Sequence, residues 1–152
     1  MRLPTDRRRQ VIGAIMACLG RRAERTIFPT DEQMSINATV QLYLDGLYEG
    51  DADKLASAFH PTSALTSEDG GTIKVLPRDQ WLEVVRNRKS AKTLGLTRHD
   101  EIVQVDQSSP TSAFVKLKCA MPPRFFTDYL CLLKIDGRWQ IVQKIFTTEV
   151  RE

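Results

Sequence analysis

The sequence is short of the residues that announce chemistry. It holds two histidines, His60 and His99, far apart in the chain, so zinc-ligand spacing is absent. Its three cysteines, Cys18, Cys119 and Cys131, form no CxxC pair and no even framework. There is no GxxxxGK[ST], GxGxxG or GxSxG, which leaves phosphate cradles, dinucleotide folds and nucleophile elbows without support. No metal or cofactor is therefore expected. No run of 18 apolar residues occurs, so no transmembrane helix is expected either.

Charge of one sign is also missing from most of the chain. Residues 1–33 carry seven arginines against four acids, and the other 119 residues balance 15 basic with 15 acidic side chains. A neutral body argues against nucleic acid, which needs a concentrated basic surface.

What is present is enough chain, 152 residues, for one domain with a real core. Residues 1–33 read as a basic extension and 34–152 as the domain. Within the extension, RRRQVIGAIMACLGRR (7–22) admits three readings. It is a lipoprotein signal whose box ends at Cys18, or a short basic helix or loose tail, or a segment ahead of a start at Met34. The apolar run sits at the lower limit for a secretory segment, which favours the last two. The expected compartment is the cytoplasm, or a membrane anchor if Cys18 is lipidated; otherwise no membrane partner is expected.

Residues 34–49 place apolar side chains at 36, 40, 44, 47 and 48 beside Tyr43, which is helical spacing. Asp51 is a good N-cap for a second helix, and His60-Pro61 stops it. Residues 63–76 straddle Asp69-Gly70-Gly71 as a hairpin. RDQWLEVVRNRK (78–89) follows Pro77 as a third helix, with Trp81, Leu82, Val84 and Val85 on its apolar face. The period then becomes two, giving strands over 97–107, 111–121, 124–135 and 138–149 with short connections. The expected fold class is α+β, helices on one face of a curved antiparallel sheet.

Parity assigns faces. A two-residue turn at Asp136-Gly137 makes partners sum to 273, so Asp128 faces Ile145 and Leu130 faces Gln143. A turn at Pro122-Pro123 sets Leu117 opposite Asp128. One face then shows Val115, Leu117, Cys119, Phe126, Leu130, Leu132, Trp139, Ile141 and Ile145, with Asp128 and Gln143 the polar exceptions. Lys144 falls on the outer face against Tyr129. Cys119 and Cys131 fall on opposite faces, which argues against a disulfide.

Asp128 is thus expected inside. A buried carboxylate needs a partner, and a lone acid in an apolar pocket is a candidate for proton transfer. The competing reading is a structural carboxylate that fixes the core; a slip of one residue would turn it outward. Tyr43 and His60 are the other catalytic candidates, to polarise an oxygen. Trp81, Phe59, Leu117, Phe126, Leu130, Trp139 and Gln143 are candidate ligand contacts. His99 is expected in solvent.

The element order, FHP at 59–61, YLDGLYEGDADKL at 43–55 and FTDYLCLLKIDGRWQIVQKIF at 126–146 resemble the nuclear transport factor 2-like superfamily, and within it the "putative lumazine-binding" branch. The resemblance spans about residues 34–149. It implies a cone, a curved sheet wrapped around a long first helix in a cystatin-like roll, with a pocket inside and homodimers through the outer sheet face. It also places the chain near ketosteroid isomerase and the SnoaL-like polyketide cyclases, and suggests a bacterial source. Three functions follow as expectations. The first is a small-molecule-binding cone using Asp128 and Gln143. The second is an isomerase, dehydratase or cyclase that moves a proton with Asp128. The third is an assembly module with a filled cone.

Overall fold

The computed structural model describes residues 29–152. Cys18 and residues 1–28 of the basic extension lie outside the described residues, while its last residues, 31–33, belong to the first helix. The elements run α1 (Asp31–Glu49), α2 (Ala52–Ala58), β1 (Ala64–Asp69), β2 (Thr72–Pro77), α3 (Arg78–Asn87), β3 (Asp100–Ser109), β4 (Ser112–Met121), β5 (Arg124–Ile135) and β6 (Arg138–Val150). All six strands form one curved sheet in the order β2-β1-β6-β5-β4-β3. Its pairs are antiparallel except β1 with β6. The fold is the expected α+β cone, with α1 packed inside the sheet.

The first helix forms because its apolar residues recur at helical spacing. Ile36, Val40, Tyr43, Leu44 and Leu47 are buried on one face. It starts at Asp31, three residues ahead of the expected Met34. Glu32, in that first turn, accepts bonds from Lys134 Nζ (2.5 Å) and Trp139 Nε1 (2.8 Å) across the β5–β6 hairpin. Gly50 ends the helix with φ +69°, and a Cβ there would stand 2.8 Å from that of Ser90. Asp51 caps α2 as expected, accepting from the amides of Asp53 and Lys54 at 3.1 Å. Phe59 then turns extended and bridges to Ile141 of β6.

On α3, Trp81, Leu82 and Val85 are buried, but Val84 is not: it is 47% exposed. The strand β3 begins at Asp100 rather than 97 and is an edge with its side chains mostly in solvent.

The β4–β5 register is the expected one, with Leu117 opposite Asp128 and Val115 opposite Leu130. The β5–β6 register holds only near its turn. Asp136 and Gly137 both have positive φ, 50° and 76°, the two-residue turn that suits the strand twist. Pairing follows the sum of 273 as far as Leu132 with Ile141. A bulge then intervenes, and Cys131 pairs with Gln143. The extra residue is Val142. Beyond it every residue of β6 faces the opposite way from the expectation. Lys144 and Phe146 turn inward, opposite Leu130 and Asp128; Gln143 and Ile145 turn outward.

Candidate functional site

Two charged side chains are buried among the described residues, Asp128 at 0% exposure and Lys144 at 5%. They meet. Asp128 projects from the middle of β5, Lys144 from β6 just past the bulge, and Tyr43 from α1 fills the space above them. The Tyr43 hydroxyl donates to Asp128 Oδ2 at 2.5 Å and accepts from Lys144 Nζ at 2.7 Å. Lys144 Nζ is also 3.2 Å from the same Oδ2. The Cys119 thiol, on β4, lies 3.7 Å from that oxygen. All partners thus converge on Oδ2. The other carboxylate oxygen, Oδ1, is buried with no hydrogen-bond partner.

Aromatic rings wall this cluster. Tyr43, Phe59 and Trp81 stack edge to face in a triangle, with centroids 5.1 to 6.4 Å apart. Lys144 Nζ stands 4.8 Å from the Phe146 centroid, 5.1 Å from that of Tyr43 and 5.8 Å from that of Trp81. Such faces favour a cation. An ammonium offers three protons, and among the described residues only Tyr43 and Asp128 take one.

Burial, and next the charge of Asp128, push the Tyr43 phenol well above its ordinary range, so it remains a proton donor at neutral pH. The same two causes push the Cys119 thiol up to about 12. Cys119 is therefore an inert thiol and no nucleophile.

Lys144 opens onto a cleft of about 640 Å³, a size typical for small-molecule sites. Trp81, Phe126 and Phe146 line it below, and Arg88 and Arg124 stand at its rim. Neither arginine side chain has an ion-pair or hydrogen-bond partner among the described residues. They are close enough that Arg124, after desolvation, weakens the hold of Arg88 on its charge. Asp128 and Tyr43 do not line the cleft; they sit behind Lys144. A second hollow of about 480 Å³ covers the ends of β3 to β6 and shares Phe126 and Thr148 with the first. Of the cluster it reaches only Cys119.

The structure thus brings Asp128, Tyr43, Phe59, Trp81 and Phe126 to one region. Leu117 and Leu130 are fully buried beneath it as core. Trp139 is buried toward the start of α1, held by Glu32. Gln143 is turned away from the interior and bonds Thr66 of β1 at 2.9 Å. His60 is apart from the cluster: its Nδ1 meets the Thr62 hydroxyl at 2.7 Å. His99 is exposed, its ring against Phe125. Lys144, expected outside, is the residue that parity missed. Lys116 takes the expected outer place over the Tyr129 ring, at 5.6 Å. Cys119 is buried and Cys131 exposed, on opposite faces as expected.

Residues 31–147 match the sequence model of the family described as "Putative lumazine-binding". The chain belongs to this family. A curated relative, the aldolase FrzH of a Cladobotryum species, is 28% identical over 119 residues, which are 77% of this chain and 91% of the relative. Among solved structures, a nuclear transport factor 2-like protein of unknown function from Methylobacillus flagellatus aligns with a TM-score of 0.70 at 21% identity, covering 82% of this chain and 97% of the other. A ketosteroid isomerase-like protein from Erwinia carotovora aligns with a TM-score of 0.62 at 19% identity, covering 81% and 100%. These structures share the nuclear transport factor 2-like fold with this family member. Among its described residues no helix is long and apolar enough to cross a membrane.

Proposed function

We propose that the cone binds a small acidic carbonyl compound and moves a proton at the carbon next to the carbonyl. The observation that carries this is the half-satisfied carboxylate. Asp128 is fully buried, Oδ2 is held by Tyr43 and Lys144, and Oδ1 has no partner. A purely structural carboxylate would have both oxygens satisfied, since a buried ion pair with an idle acceptor is a poor stabiliser. In the proposed role Lys144 faces the substrate oxygen and stabilises negative charge as it develops. Tyr43 and Asp128 stand behind as a connected proton store. Arg88 and Arg124 at the rim hold the acidic group of the substrate. The aldolase relative and the ketosteroid isomerase-like neighbour bear names in keeping with carbonyl chemistry.

The test is deuterium exchange. Pyruvate, 2-oxobutyrate and acetoacetate are incubated with the protein in D2O, and exchange at the carbon next to the carbonyl is followed by proton NMR. Catalysed exchange is expected with at least one, falling by roughly 10²–10⁴-fold in Asp128→Asn, the range of a lost acid–base group. Exchange at the buffer rate for every probe, with the variant equal to wild type, would overturn the reading.

The outer face of the sheet supports a second proposal, a homodimer. Tyr129, Leu133 and Ile145 expose apolar surface there, 38%, 41% and 50%. Tyr129 stacks on Phe114 as part of the same patch. Sedimentation equilibrium is expected to give a dimer that Tyr129→Lys with Ile145→Lys splits; a wild-type monomer at every concentration refutes it.

A further inference from the structure

We propose that Lys144 is a covalent site, whose ε-amine condenses with the carbonyl of a small acidic aldehyde or ketone to form an imine. The inference rests on the reading of the cleft given above and adds the bond that the substrate makes. Of the lysines among the described residues Lys144 alone is buried, and it is the one whose nitrogen meets both an acid and a phenol. It lines the cleft while Asp128 and Tyr43 do not. A substrate therefore reaches the amine first. Burial strips the Lys144 amine of water, and a carboxylate at 3.2 Å is in place to take its proton, which frees the lone pair for attack.

The step balances with the groups present. Lys144 passes one ammonium proton to Asp128 Oδ2, which leaves a neutral amine with a lone pair. That pair forms the C–N bond as the carbonyl π pair moves to oxygen. The oxygen takes the Tyr43 hydroxyl proton, and Tyr43 is recharged by Asp128 at 2.5 Å. Asp128 takes a proton from the new C–N nitrogen and returns it to the leaving hydroxyl, so that one water departs and a protonated imine remains. No oxidant, reductant or metal takes part. The iminium then makes the neighbouring C–H acidic, which serves the proton transfer proposed above. Carbon–carbon bond formation at that carbon would follow from the same enamine.

Reductive trapping tests it. The full chain is incubated with pyruvate, glyoxylate or acetone and sodium cyanoborohydride, then read by intact mass and peptide mapping. One adduct is expected, on Lys144, formed about tenfold or more faster than on any other lysine, as expected for an amine held beside its reactant. Pyruvate and glyoxylate should outpace acetone, because acetone offers nothing to Arg88 and Arg124. Lys144→Arg should lose the adduct. The wild-type map decides even if that variant misfolds, because surface lysines serve as internal reference. Labelling spread over surface lysines with Lys144 unmodified overturns the imine. If deuterium exchange persists in that case, proton transfer by the cluster stands without it; if exchange is also absent, both readings fall.

Discussion

At the scale of single residues the cluster is a balance of buried charges, and removing one member exposes the other. Lys144→Met leaves Asp128 buried without its cation, a change that typically costs about 3–5 kcal/mol. Asp128→Asn with Lys144→Met removes both charges and is expected to recover most of that loss. Urea denaturation of the two variants and wild type checks it; a double variant as unstable as the single one would contradict the pairing. Two neighbours set the alkaline limit. Tyr43 and Cys119 both hold their protons more tightly folded than unfolded. Above the ordinary thiol and phenol ranges the unfolded chain binds fewer protons than the folded one, so stability falls as pH rises. It is fully present below about pH 9 and is lost progressively toward pH 12. Urea midpoints at pH 8 and pH 11 should show that fall, reduced in Tyr43→Phe. Iodoacetamide at neutral pH should modify exposed Cys131 and spare Cys119, and modification of Cys119 in the folded protein would refute its burial.

At the scale of elements, most of the fold was legible and half of one strand was not. Periods of 3.6 and 2 placed three helices and the sheet, and Asp51 was readable as a cap because its side chain answers a local need. Replacing it with alanine should cost about 1 kcal/mol, measured by thermal or urea unfolding. The β6 strand shows the limit. Turn chemistry fixed pairing up to Ile141, since Asp136-Gly137 dictates it locally. A bulge has no such local signature in Val142, so the parity beyond it was inverted and Lys144 was sent outward. One clue was available: a buried Asp128 calls for a cation. Lys144 needs only a one-residue slip on β6 to reach it, but Lys116 and Lys118 flank the facing position on β4 in the same way. Charge balance could therefore say that a slip was needed and not which strand would make it. Tyr43 could be placed beside the apolar stripe of the first helix because helical spacing is insensitive to such slips.

At the scale of the whole molecule, the turn end of the β5–β6 hairpin is tied to the first helix by the Glu32 carboxylate, beside a bond from the Thr39 hydroxyl to the Trp139 carbonyl. The bonds from Lys134 and Trp139 to Glu32 hold its carboxyl below the usual glutamate range, the Lys134 bond contributing most. Its stabilising effect is present above the ordinary glutamate pKa and is lost as pH falls through the depressed one. Trp139 is one of two tryptophans in the chain, so its fluorescence should change on acidification and Glu32→Gln should abolish that step. An acid titration identical in the variant would show that the tie plays no part.

The extra residue at Val142 acts on its strand as a frameshift acts on a coding message. Everything before it is read in one phase and everything after it in the other, while the letters themselves are unchanged. Were Val142 taken into the ladder opposite Cys131, Gln143 and Ile145 would return to the interior and Lys144 would leave it with Phe146, exchanging the whole chemical vocabulary of the site without touching the hairpin, whereas deleting Val142 would only close the bulge and keep Lys144 opposite Leu130. Position-by-position alignment of cone proteins across this point therefore compares inward residues with outward ones whenever one partner lacks the bulge. The cone keeps this lysine inside only while the strand holds one residue out of its ladder.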